Sequence, residues 1–286
     1  MLVRIITASF LIPIVVAIVW WGSIELLAIA AAAVAILALA EFFGLGERLG
    51  YHAFAKWTGV CTAAIFYAQY SAGQMESRSG AGVLFVRRLG GLPVSVPVVL
   101  LAFIFGCAGI GLATRRSLHD VLPSISISSA GLLFVGLPLS YILRIAEVER
   151  TGRMLTLFTL VLIWAGDMLA YFVGRSVGRL PMAPALSPKK TWEGAVGNMA
   201  ASLIVAVFFA RWMDFSASAM VVIAALANVA GQMGDLIESA YKRGAVVKDS
   251  GGLLPGHGGM LDRIDSLIFA APVVWLLYQW FVRGGS

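Results

Sequence analysis

The stretch IELLAIAAAAVAILALA, residues 24–40, carries a single charge, Glu25. A run this apolar constrains the fold more than any other feature of the chain. About 20 mostly apolar residues suffice for a helix to cross a bilayer. In lipid no water satisfies an exposed backbone amide, so open sheets are excluded and only helices or closed barrels remain. Barrel strands alternate apolar and polar side chains, and this run does not. The composition agrees. Of 286 residues, 60% are hydrophobic and 13% charged, against about 25% charged in a soluble domain. The chain reads as an all-α, polytopic integral membrane protein.

About nine stretches have the required length: 5–22, 24–43, 53–71, 92–112, 124–145, 154–175, 194–212, 217–239 and 264–282. The first follows a lone cation, Arg4, and shows no clear small-residue cleavage site, so it is read as a span and not as a signal peptide. SAGQMESRSGAG (71–82) has linker composition. SISISS (124–129) is read as a span start whose hydroxyls bond backbone carbonyls, with a nucleophile-rich patch as the alternative. Cys61 and Cys107 sit in apolar runs and read as buried small hydrophobes; the pattern suits neither a disulfide framework nor zinc.

Lys and Arg favour the cytoplasmic side of a membrane. With Met1 cytoplasmic, thirteen cations fall on that side and eight on the other. Loops 176–193 and 240–263 are separated by two spans, so they share a side whichever way the chain is threaded. The two most polar stretches can therefore meet. Residues 1–120 are expected to supply architecture, packing or a dimer surface, and residues 121–286 the chemistry, in a polar cavity formed by the C-terminal helices.

The eighth span carries Asn228, Gln232, Asp235, Glu238, Ser239 and Lys242, spaced so that they share one helical stripe. An ionised carboxylate at the bilayer centre costs about 2.5–3.5 kcal/mol on insertion scales, so this stripe should not face lipid. The alternative is a helix end emerging into water. In the sixth span Asp167, Tyr171, Gly174 and Gly178 share a face. Asp167 either lines a polar cavity or pairs structurally between helices, and the glycines suit close helix packing. In LSPKKTWEG (186–194), Thr191 is placed to cap a helix. Lys189 and Lys190 just before it oppose the helix dipole unless an anion binds there; as positive-inside anchors they need no ligand. No Walker pattern occurs.

The loop after the eighth span holds Arg243, Lys248, Asp249, His257, Gly258, Gly259, Asp262, Arg263 and Asp265. Asp262 and Asp265 are three apart at a helix start and project to one side. Glycines let a backbone approach a ligand and present N–H groups. Carboxylates are hard ligands for Mg²⁺, and cations hold phosphate oxygens. That combination suits a nucleoside triphosphate with its metal. His257 is equally readable as a phosphate contact or a plain loop residue.

The segment SAYKRGAVVKDSGGLLPGHGGMLDRID, residues 239–265, resembles the signature of the phosphatidate cytidylyltransferases (CDP-diacylglycerol synthases). That signature runs Ser, two residues, Lys-Arg, four residues, Lys-Asp, a Gly-rich Pro-x-His-Gly-Gly, then Asp-Arg and a final Asp. Tyr241 is larger and more polar than the residue usual at its place. SPKKTWEG (187–194), GDLIES (234–239) and the Asp167–Tyr171 segment are similar to family blocks; the N-terminal half matches only as a hydrophobic, multi-span region. The resemblance implies transfer of a cytidylyl group from CTP to phosphatidic acid, with release of pyrophosphate. It implies Mg²⁺, with room for a second, monovalent cation, and a homodimer in the cell (inner) membrane, its site facing the cytoplasm. No nucleic-acid partner is implied. Carried over by position, Asp235 and Asp262 become leading metal ligands, with Asp249 and Asp265 weaker ones. Lys242 and Lys248 join Asp235 and Asp262 as catalytic candidates. Lys189, Lys190, Arg243, Lys248, His257, Gly258, Gly259 and Arg263 become phosphate contacts. Asp167, Tyr171, Asn228, Glu238 and Ser239 support the cavity. CDP-alcohol phosphotransferases are a rival enzyme class, but their Asp-Gly, Ala-Arg pattern is absent. A transporter using Asp167 and Asp235 predicts paired broken helices in related halves, which the sequence does not display.

Overall fold

The computed structural model describes the backbone of residues 2–79, 88–89, 92–114, 117–253 and 258–284, and the side chains of 9–73, 94–114, 117–253 and 258–282. Arg115, Arg116 and His257 lie outside the described residues, as do the side chains of Arg4, Arg78, Arg87, Arg88 and Arg283.

Among the described residues the chain forms α1 (Leu2–Trp21), α2 (Ile24–Arg48), α3 (Ala55–Ser79), α4 (Val96–Ala113), α5 (Leu118–Gly131), α6 (Leu137–Ala146), α7 (Gly152–Val177), α8 (Trp192–Trp212), α9 (Ala217–Gly244) and α10 (Leu261–Gly284). A π-helical turn, Leu132–Gly136, joins α5 to α6 as one rod. Each expected span thus finds a helix. Seven rods are long and apolar enough to cross a membrane, and Ser9–Trp21 is a shorter apolar helix. Nine crossings are expected and seven qualify among the described residues, α3 being too polar to meet the same measure.

The boundaries shift where capping decides them. The rod expected from 124 begins at Leu118, because Ser117 Oγ accepts a hydrogen bond from His119 N. α3 continues to Ser79 through most of the segment read as a linker. The SISISS hydroxyls do bond carbonyls: Ser126 Oγ donates to Leu122 O at 2.9 Å and Ser128 Oγ to Ser124 O at 2.7 Å. Loop 176–193 is not irregular. Pro181–Ala183 (β3) and Ser187–Thr191 (β4) pair as an antiparallel hairpin, with Ala183 opposite Ser187. A second short pair, Arg88–Leu89 (β1) and Leu92–Pro93 (β2), precedes α4.

Side chains sort as lipid dictates. Phe105, Ile104 and Leu112 on α4 point outward, exposed to the surroundings of the chain. The main core gathers Leu143 of α6, Leu155 and Phe158 of α7, Met220 and Ile223 of α9 and Val274 of α10. A smaller core holds Phe54, Phe103 and both cysteines, Cys61 and Cys107, as buried free thiols. Tyr241 meets Phe42 and Phe134 edge-on, with ring centroids 5.6 and 6.0 Å apart, which gives the unusual signature residue a packing role.

Helices come closest where glycine lets them. A Cβ on Gly234 of α9 would stand 2.5 Å from the Asp265 carbonyl oxygen of α10. Backbone cannot yield there, so Gly234→Ala is expected to lower stability by about 1–3 kcal/mol. Gly44→Ala, with open space around its Cβ, is expected to leave stability unchanged or slightly raised. Thermal unfolding of both variants in detergent checks the pair.

Candidate active site

The two polar loops do meet. Arg243 Nε donates to Leu186 O in the hairpin turn at 3.0 Å, and Arg243 Nη1 to Val247 O at 3.0 Å. Lys190 of β4 forms an ion pair with Asp235 of α9. The hairpin is therefore pinned to the end of α9 from two points. Thr191 caps α8, accepting from Gly194 N at 3.1 Å. Gly174, Gly178 and Gly194 leave no spare room between α7, Thr191 and α8, so these glycines serve close packing.

Two turns beyond Asp235 on α9, Lys242 is ion-paired with both Glu238 of α9 and Asp262 of α10. These three side chains are nearly buried, at 12%, 5% and 7% exposure for Lys242, Glu238 and Asp262. Lys242 Nζ lies 2.5 Å from Asp262 Oδ1. The other oxygen, Asp262 Oδ2, accepts from Ser250 N at 3.0 Å and Gly259 N at 2.7 Å, and Ser250 Oγ stands 3.0 Å away. The two amides match the two lone pairs of Oδ2, and the single Ser250 hydroxyl proton lies between Asp262 and Glu41. Gly258 has φ +78°, and a Cβ there would come within 2.7 Å of Asp262 Oδ2. Only glycine fits both conditions.

Asp265 is the inner member of the acidic group. Its Oδ1 accepts from Ser266 N at 2.7 Å, and Asp235, Glu238 and Asp167 are close enough to act on it electrostatically. Asp167 has Asp235, Lys190 and Arg263 as its charged neighbours. A hydrogen-bonded ladder then runs deeper into the bundle. Gln232 Nε2 donates to Asn228 Oδ1 at 2.6 Å, Asn228 Nδ2 to Asn198 Oδ1 at 2.5 Å, and Asn198 Nδ2 to Asp167 Oδ1 at 3.3 Å. Asn228 Nδ2 also donates to Ser202 Oγ at 2.7 Å. The polar stripe of α9 thus meets α8 at Asn228, β4 at Asp235 and α10 at Lys242, and Asp167 joins the same network through Asn198.

Not every expected residue joins. Lys189, Lys248 and Asp249 are exposed, with Asp249 Cβ beside Gly258. Tyr171 is exposed and accepts from Arg175 Nη1 at 2.8 Å, one turn along its own helix. Ser239 is buried on α9. Four participants escaped the sequence reading: Asn198, Ser202, Ser250 and Glu41. Asn198 and Ser202 lie four apart in GNMAAS on α8, a polar spacing inside an apolar span that could have marked them. Glu41 Oε2 accepts from Leu261 N at 2.8 Å and stands 3.1 Å from Ser250 Oγ; no local pattern in α2 marks it.

A cavity of about 420 Å³ opens beside the cluster. At one end Asp167, Asp262, Arg263 and Asp265 line it; along the rest, aliphatic side chains of α1 and α2, such as Leu11, Val15, Ala31 and Val34, face Leu160 and Ile163 of α7. Its lining is therefore amphipathic.

A hard divalent cation takes oxygen ligands. Asp167, Asp235, Glu238, Asp262 and Asp265 supply that donor chemistry, and Glu238 Oε1 is buried with no hydrogen-bond partner among the described residues. The residues present fit such an ion in kind. Among the described residues no three of them stand together as a ready ligand set; Lys190 and Lys242 hold the negative charge instead.

The sequence profile of the cytidylyltransferase family matches residues 2–281. The chain is 38% identical over 151 residues to the phosphatidate cytidylyltransferase of Bacillus subtilis (strain 168), covering 52% of this chain and 56% of that protein. It is 40% identical over 146 residues to the protein of the same name from Staphylococcus saprophyticus, covering 50% and 55% of the two. It is 43% identical over 136 residues to that of Haemophilus influenzae, covering 44% and 46%. The matched region thus spans about half the length of these curated relatives. With the family profile aligned to nearly the whole of a helical bundle that carries this acidic and basic cluster, the chain belongs to the cytidylyltransferase family.

Proposed function

We propose that the chain transfers a cytidylyl group from CTP to phosphatidic acid, giving CDP-diacylglycerol and pyrophosphate. One observation carries this reading: the charged cluster opens onto a cavity that turns aliphatic within the bundle. A water-soluble nucleotide needs the first part, and a lipid needs both. Family membership and the names of the relatives support the same reading.

The chemistry asks little of a general base. A phosphomonoester has a second pKa near 6, so the lipid phosphate is largely ionised at neutral pH. One of its oxygens attacks the α-phosphorus of CTP. A new P–O bond forms, the bond from the α-phosphorus to the bridging oxygen breaks, and pyrophosphate leaves with the electron pair. The obstacle is bringing two anions together, so charge and alignment dominate. Lys189, Lys190, Arg243, Lys248 and Arg263, with the loop at His257 and Gly258, receive phosphate oxygens, while the Gly259 amide is committed to Asp262. Lys242 keeps Glu238 and Asp262 neutralised and in place. Asp235, Asp262, Asp265 and Asp249 would hold Mg²⁺, which when bound screens phosphate charge and stabilises the departing pyrophosphate. Asp167, Asn228, Glu238, Ser239 and Tyr171 maintain the polar hollow. The lipid headgroup enters at Arg263 while acyl chain remains against α1 and α2. The protein works as a homodimer in the cell membrane with this mouth toward the cytoplasm, the side the Lys and Arg count favours.

The direct test supplies purified protein with radiolabelled CTP, Mg²⁺ and phosphatidic acid in vesicles. Label is expected in the lipid phase, and its absence across a magnesium titration overturns the reading. Asp235→Ala and Asp262→Ala are each expected to lower turnover about 100-fold or more, the scale of losing a preorganised electrostatic group, while the proteins remain in the membrane fraction. Asp167→Asn keeps a partner for Asn198 but loses charge, and a fall of about tenfold is expected in the same assay.

A further inference from the structure

The N-terminal half contributes one carboxylate to the signature loop. Glu41 lies in α2, 209 residues from Ser250 and 220 from Leu261 in sequence. Its Oε2 accepts from the Leu261 amide at 2.8 Å, in the first turn of α10, where helix N–H groups lack partners in the helix itself. The same oxygen stands 3.1 Å from Ser250 Oγ, which in turn is 3.0 Å from Asp262 Oδ2. The chain of contacts continues through Asp262 Oδ1 to Lys242. It links α2, the loop, α10 and α9.

Two signature glycines explain themselves against this side chain. A Cβ on Gly259 would stand 2.3 Å from Glu41 Oε2 and 2.2 Å from Ser250 Oγ, and one on Gly251 would stand 2.5 Å from Glu41 Oε1. The loop leaves space at both positions for an acid delivered by another helix. The Gly259 amide, which from sequence could have been a ligand donor, is turned onto Asp262, and so is the Ser250 amide.

We propose that Glu41 is a positioning residue of the active site: by holding the Leu261 amide and the Ser250 hydroxyl it fixes the loop that orients Asp262 toward Lys242. It touches neither substrate nor reacting atoms. The turnover part of the test rests on the function proposed above; the exchange part does not.

The experiment compares Glu41→Ala, Glu41→Gln, Ser250→Ala and the Glu41→Ala/Ser250→Ala double variant in detergent. It reads kcat, KM for CTP, thermal unfolding, and hydrogen exchange at the Ser250, Gly259 and Leu261 amides. Glu41→Ala is expected to lower kcat by about 10- to 100-fold, the cost of a misplaced catalytic group. KM for CTP should move by less than about threefold, since the lost contact orients groups and does not bind the nucleotide. Exchange at the three amides should accelerate while the unfolding temperature changes little. Glu41→Gln keeps an acceptor oxygen and should recover most of kcat. The double variant should be scarcely worse than Glu41→Ala, because both changes cut one chain of contacts.

Wild-type kcat with unchanged amide exchange in Glu41→Ala overturns the proposal. So does a defect confined to the unfolding temperature, or a Glu41→Gln protein as impaired in kcat as Glu41→Ala. Should Glu41→Ala fail to fold, Ser250→Ala decides: slower turnover with faster exchange at Leu261 supports the brace, and wild-type values in both reject it. If the wild-type protein transfers no cytidylyl group, the functional reading fails, and amide exchange alone then decides the role of Glu41.

Discussion

Carboxylates inside an apolar bundle are tolerable only when something answers their charge. That constraint organises the whole C-terminal half. Lys190 answers Asp235 across the hairpin–α9 junction, and Lys242 answers Glu238 one turn back on α9 and Asp262 across the α9–α10 junction. Removing one partner of a buried pair costs about 3–5 kcal/mol, because the other charge is left behind. The Lys190–Asp235 and Lys242–Asp262 pairs each join two elements, so the position of the acids and the packing of the helices are one problem. The cations of the cluster are thereby held in fixed positions.

Small residues make the arrangement reachable. Gly166 leaves room for the Asn198 side chain, since a Cβ there would meet Asn198 Oδ1 at 2.1 Å. Gly234 brings α9 against the backbone of α10. Lipid provides little hydrophobic drive between helices, so close contact and interhelical hydrogen bonds must hold them. The ladder Gln232–Asn228–Asn198–Asp167 supplies such bonds across three helices. It leads to the wall of the amphipathic cavity, so the same polar network that joins the helices also borders the space where a lipid headgroup is proposed to sit.

The N-terminal helices matter more than their featureless sequence suggests. α1 and α2 form the aliphatic wall of the cavity, and α2 reaches the signature loop through Glu41. Helices from both sides of residue 120 therefore border the polar cluster. The hairpin Pro181–Thr191 carries a similar lesson: two lysines in a polar loop have quite different settings, Lys190 paired with Asp235 and Lys189 exposed.

The sequence by itself determined the helical, membrane-spanning class, the place of each rod, and the one-sided stripe Asn228–Lys242. These follow from run length and helical period, which are local quantities. It also determined that loops 176–193 and 240–263 share a side, since counting spans needs no coordinates. Tertiary structure alone decided which cation meets which acid, that Tyr171 stands apart beside Arg175, and that Asn198 and Glu41 belong with the polar groups. Such pairings depend on how whole helices rotate and approach, set by contacts between residues far apart in the chain, and no local period encodes them.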